Sequence, residues 1–140
     1  MTGNVKIKIE SLHREEGVDE QEKMNFEAVG TAHEKGGSTY IMFDEIQEDM
    51  PPVKCMIKIY GGEVWYRKKG AVTSEILLSL GEEYRTVYQT PYGGFGVKIK
   101  TNSLSIIEGD NAINIRAEYE LTMQEDYVRT CEISINIKTL

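Results

Sequence analysis

A chain of 140 residues, 40% hydrophobic and 28% charged, suits one domain over residues 1–140 and carries enough apolar material for a core, which excludes wholesale disorder. Asp and Glu outnumber Lys and Arg by 23 to 16, leaving a net charge of −7, the opposite of what phosphate neutralisation needs, so nucleic acid is not an expected partner. No apolar run approaches the roughly eighteen residues of a membrane span, and "MTGNVKIKIESL" lacks the apolar centre of a signal peptide, which points away from the membrane and to the cytoplasm.

Period-two alternation, the mark of a strand buried on one side, dominates from the start. Val5, Ile7 and Ile9 alternate with Lys6, Lys8 and Glu10. The acidic run "HREEGVDEQE" (13–22) lacks the ligand spacing of a calcium loop and reads as a solvated turn, as does "EIQED" (45–49). "EKGGS" (34–38) supplies turn glycines, and "EDMPP" (48–52) ends a strand with prolines that cannot donate to a ladder.

Residues 53–60 then alternate through Val53, Cys55, Ile57 and Ile59, "YGGE" turns the chain, and 63–69 follow as a strand. "VTSEILLSL" (72–80) fits both a two-turn helix and a strand; so short a helix is marginal, and a strand is expected. Tyr84, Thr86, Tyr88 and Thr90 form one polar and aromatic face. Strands are expected over 94–101, over 111–122 with Ile113, Ile115, Ala117 and Tyr119 on one parity, and over 128–138 with Cys131, Ile133, Ile135 and Ile137. About ten strands joined by short turns make an all-β sandwich or barrel.

The stretch "YQTPYGGFGVKIKT" (88–101) holds Gly93, Gly94 and Gly96 ahead of two lysines. A phosphate-cradling glycine loop opens a helix. Here Val97, Ile99 and Thr101 alternate with Lys98 and Lys100, so a strand follows and the glycines serve a turn, with positive φ expected at Gly93 or Gly94. No nucleotide or other cofactor motif is present. His13 and His33 are isolated and expected to be solvated, which provides neither a metal cluster nor a base beside a nucleophile, so enzymatic chemistry is not expected. Cys55 and Cys131 lie far apart in strands and read as two buried thiols.

The segments "STYIMFDE" (38–45), "KIYGGEVWYRKKGAV" (58–72), "YQTPYGGFGVKIKT" (88–101) and "INIRAEYEL" (113–121) resemble the YwiB-like family of small bacterial proteins. The resemblance, over about residues 4 to 138, implies a single antiparallel β-barrel of lipocalin or calycin type with about ten strands and no assigned activity. Within those segments Arg67 stands in a strand beside Trp65, and Glu45, Tyr88, Thr90, Thr101 and Tyr119 supply a carboxylate and hydroxyls. An arginine held inside a barrel needs such partners, and its planar fork suits an anionic small molecule. Two functions stay open: a barrel that binds such a molecule in its interior, and an interaction module that acts as a homodimer.

Overall fold

The computed structural model describes residues 1–46, 48–123 and 127–140, so residue 47 of the acidic run 45–49 lies outside it. Ten strands follow in chain order: β1 (Gly3–Glu15), β2 (Gln21–Lys35), β3 (Ser38–Glu45), β4 (Val53–Tyr60), β5 (Glu63–Lys69), β6 (Ser74–Leu78), β7 (Glu83–Thr90), β8 (Gly93–Glu108), β9 (Ala112–Met123) and β10 (Tyr127–Thr139). All neighbours pair antiparallel in the order β6-β5-β4-β3-β2-β1-β10-β9-β8-β7. No helix occurs among the described residues, and 72–80 supplies β6, the expected strand.

The sheet curls until its edges meet. Thr73 and Gln89 exchange two backbone hydrogen bonds of 2.9 Å, and Leu80 bridges to Thr101 on β8. Between these ties the Trp65 ring meets Tyr84 edge to face at 5.6 Å, so an aromatic pair packs where ladder bonds are missing. The result is a nearly closed barrel. Because the strands alternate in direction, five connections (β1–β2, β3–β4, β5–β6, β7–β8, β9–β10) sit at one end, here the upper, while the other four and both termini sit at the lower end.

Apolar parities face inward, as alternation requires. Val97, Ile99, Ile115, Ile133 and Ile135 are all buried, and Ile7, Ile41, Ile57, Leu78 and Ile137 fill the interior with them. Cys55 and Cys131 are buried free thiols. At the turns, Gly36, Gly37, Gly61, Gly62 and Gly81 take positive φ. Gly93 does so too, at 126°, at the start of β8, as its place in a strand turn demands.

Two elements exceed the sequence expectation. β8 runs to Glu108 rather than ending at 101, because a bulge between Thr101 and Ser103 shifts the inward parity from Ile99 and Thr101 to Leu104 and Ile106. The acidic run 13–22 is only partly a turn: β1 continues to Glu15 and β2 begins at Gln21. The strands β8, β9, β10, β1 and β2 have 12 to 16 residues, and β3 to β7 have 5 to 8.

Length mismatch splits the wall. β2 pairs with β3 only over Thr31–Lys35, opposite Met42–Ser38, so Gln21–Gly30 has no ladder partner on that side among the described residues. The split starts at Gly30, where an added Cβ would lie 2.2 Å from the Met42 carbonyl oxygen and 2.9 Å from the Phe43 Cβ. Only glycine lets the two backbones come so close before they part.

Candidate functional site

Polar side chains on the inward parity collect in the upper half of the barrel. On β5, Val64 and Tyr66 are buried opposite Ile59 and Ile57 of β4, so Lys68, two residues on, also points inward. Its ammonium meets the Glu45 carboxylate at 3.0 Å and lies 5.5 Å from the Tyr66 ring centre. Arg67 has the opposite parity. Nearly half exposed, it pairs on the outside with Glu75 at 3.3 Å. The expectation that Arg67 enters the barrel is therefore corrected. Both parities of "EVWYRKK" carry a large aromatic, and the apolar partners on β4 select Tyr66 over Trp65.

Tyr66 and Tyr119 are each hydrogen-bonded to a cysteine thiol, Cys55 and Cys131 respectively. Burial dominates in holding both phenols far above their ordinary range, so they stay neutral donors. Burial likewise raises the Cys55 thiol and pushes Cys131 up to about 11, despite the counteracting Tyr119 hydrogen bond and the nearby Arg129. Neither sulfur is poised as a thiolate nucleophile.

His13 is not the solvated residue expected. β1 carries it inward opposite Cys131, with Nδ1 3.4 Å from Sγ. Desolvation, then the Arg129 charge, lowers its pKa below 6.5, while Glu22 opposes the shift. Arg129 closes this corner, 3.4 Å from Glu15, 3.9 Å from Glu22 and over the Tyr127 ring at 5.1 Å, and Tyr127 also hydrogen-bonds Glu15. His33 is exposed. Sequence reasoning missed Lys68, His13 and Arg129; the signal was parity, continued past the last apolar residue of each strand.

The remaining expected site residues divide. Tyr88 is half-buried against the core, and Tyr119 is buried within electrostatic reach of it. These two share the interior with Glu45. Thr90 ends β7 at the turn into β8, where its hydroxyl donates to the Gly93 carbonyl at 3.0 Å and accepts from the Tyr92 N–H. Thr101 is 1% exposed and accepts the Ser79 N–H at 3.2 Å, while its backbone bonds Gly81 and Glu82. Thr90 and Thr101 thus tie down backbone and have no hydroxyl to spare for Arg67.

The interior around the two tyrosines is packed: Tyr66 and Tyr119 are 7% and 5% exposed, and every fully buried side-chain nitrogen or oxygen among the described residues has a partner. The clefts are open to solvent. A groove of about 590 Å³ occupies the split, with Phe26, Ala28 and Gly30 on the β2 side and Met42, Phe43 and Ile46 on the other. A second, of about 460 Å³, lies over His13, Glu22 and Arg129.

Comparison with known proteins places this arrangement. The crystal structure of the ywiB protein from Bacillus subtilis has the same fold, with a TM-score of 0.83 at 21% sequence identity, over 99% of this chain and 93% of that one. No curated protein matches the sequence. The family model described as "Domain of unknown function (DUF1934)" matches residues 7–135, and the chain belongs to that family.

Proposed function

We propose that this barrel is a non-enzymatic interaction module that engages a protein partner along the upper half of β2. One observation carries the reading: among the described residues Gln21–Gly30 presents a ten-residue strand edge without a ladder partner on the side away from β1, beside exposed Met24, Val29, Met42 and Ile46. An open edge offers unpaired N–H and C=O groups to any extended strand, and proteins usually cover or blunt such edges. The packed interior supports the same reading, since a ligand there would have to displace core side chains. A photo-crosslinking residue at Met24, with Ile107 at the lower end as control, tests it in the host cell. A discrete adduct from position 24 alone is expected. Equal adducts from both positions, or none from 24, would overturn the reading.

The Lys68–Glu45 pair favours a second reading, in which an anionic small molecule takes the place of the Glu45 carboxylate beside Lys68, Tyr66, Tyr88 and Tyr119. Anionic metabolites should then raise the melting temperature of the parent but not of Lys68→Met. An equal response from both proteins removes this reading.

A further inference from the structure

The upper half of β2 carries its own complement. We infer that its partner is a second copy of this chain, joined by antiparallel β2–β2 pairing about a two-fold axis at Asn25. The inference rests on the interaction reading above and adds the identity of the partner and the register.

A two-fold axis perpendicular to a shared sheet sets one residue of the strand opposite itself and pairs the rest symmetrically about it. The segment reads Gln21, Glu22, Lys23, Met24, Asn25, Phe26, Glu27, Ala28, Val29. Centred on Lys23 or on Glu27, the pairing would set like charges face to face, which is unfavourable. Centred on Met24, it puts Lys23 against Asn25; centred on Phe26, it puts Lys23 against Val29. Asn25 alone as the centre places Lys23 of each copy opposite Glu27 of the other, giving two opposite-charge pairs on the outer face.

The same register sets Met24 opposite Phe26 on the inner face, again twice, covering a methionine that is 50% exposed in the monomer. Asn25, small and uncharged, faces itself across the axis. Charge pattern and apolar pattern thus select the same centre.

Space permits it. Continuing the β2–β3 register upward from Thr31–Met42 brings Glu45 level with Ala28, so Gln21–Glu27 projects beyond the end of β3. Lys23–Glu27 pairs with itself wholly within that projection, and these five residues span about 17 Å. Glu27 already approaches Lys6 at 3.8 Å, and the pairing would extend this contact into a Lys6–Glu27–Lys23 ladder across the two copies.

Sedimentation of the full chain over a wide concentration range provides the test, with Lys23→Glu, Glu27→Lys and the double exchange as variants. Both positions are exposed, and unchanged melting of the dilute variants will confirm that they fold. A concentration-dependent dimer is expected. Each single exchange converts two attractive pairs into repulsive ones and should weaken it about tenfold, and the double exchange should restore it. A dimer indifferent to all three variants, or a monomer throughout, would overturn the inference. Hydrogen exchange of the β2 amides separates this failure from that of the underlying reading. Fast exchange on the open side in a persistent monomer leaves the edge available to a different protein, whereas full protection in the dilute monomer removes the free edge and both readings with it.

Discussion

The two halves of this barrel obey the same alternation and end differently. β3 to β6 are short and stop level with the packed interior, and each of their pairings runs the length of the shorter strand or nearly so. β8, β9, β10, β1 and β2 share the lower core through Ile106, Ile113, Ile115, Ile135, Ile137, Ile7 and Val5, then continue upward past it. On β9, β10, β1 and β2 the upper inward positions are filled by Tyr119, Leu121, Arg129, His13 and Glu22 instead of isoleucine, while β8 keeps Val97 and Ile99 buried at that level. A strand needs apolar neighbours to stay buried, whereas its ladder needs only adjacent strands. Away from β8 the upper part of this half therefore holds together through hydrogen bonds and ion pairs, and its last member, β2, has no ladder partner beyond Gly30 on the β3 side among the described residues.

If the lower half carries the stability, truncating its core should produce the largest effect. Ile135, 1% exposed, sits opposite Ile9 and Ile115 on the two neighbouring strands. Ile135→Ala should cost about 2–5 kcal/mol in urea unfolding, as buried Ile truncations do. Val29→Ala on the outer face of β2, at 65% exposure, should stay within about 0.5 kcal/mol. Equal losses would mean that the inward and outward parities carry equal weight and that the core assignment is wrong.

The junction of the halves at Gly30 comes next. A methyl group there meets backbone, which cannot rotate away, so Gly30→Ala should cost roughly 1–3 kcal/mol or more. The contrast is Gly96, in β8, where an added Cβ meets nothing within 4 Å and φ is not in the left-handed region. Gly96→Ala should be neutral or stabilising by up to about 1 kcal/mol. A tolerated Gly30→Ala would show that β2 and β3 can separate below the split at little cost.

The seam that closes the short half on β8 is weaker still. Thr101→Val keeps the shape of a buried side chain but strands the Ser79 N–H, which is only partly buried and can recover some hydration. A loss of about 1 kcal/mol is expected, with faster exchange at Gly81 and Ser79. A larger loss would place the seam among the main supports of the fold.

How much of this could be read from the chain depended on whether parity survived. Over 53–60, 113–121 and 131–137 one face is uniformly apolar, and the strands and their inward residues follow. At Asn102 the bulge resets the parity, so the alternation of β8 breaks off where the strand bends. In β2 the inward positions Ala28, Gly30 and Ala32 are small because β3 crosses closely there, and small residues leave little hydrophobic signal. The site suffered from a related ambiguity. Trp65 and Tyr66 give β5 two plausible inner faces, and the choice between Arg67 and Lys68 depends on which face meets Ile57 and Ile59, a long-range fact. The Thr101 hydroxyl illustrates the same limit, since Ser79, 22 residues away, claims it through barrel closure.

The smallest expected effect is a pH dependence confined to the extended half. His13 faces Cys131, with Arg129 and Glu22 close by, and desolvation together with the Arg129 charge depresses its folded pKa below the unfolded value of 6.5. The unfolded chain therefore binds the proton more readily. Stability from this group is fully present above pH 6.5 and falls as the pH drops from there towards the folded pKa, below which the loss is complete. His13 is only about half buried, so solvent limits the effect to a slight downward slope in melting temperature. Carboxylates titrate lower, and comparison with His13→Gln isolates the imidazole. The slope just below pH 6.5 should flatten in that variant, while protection factors of β4 and β5 amides remain unchanged across the same range. If β4 and β5 loosen together with β1 and β10, the two halves respond as one unit, and the division drawn from strand length has no counterpart in stability.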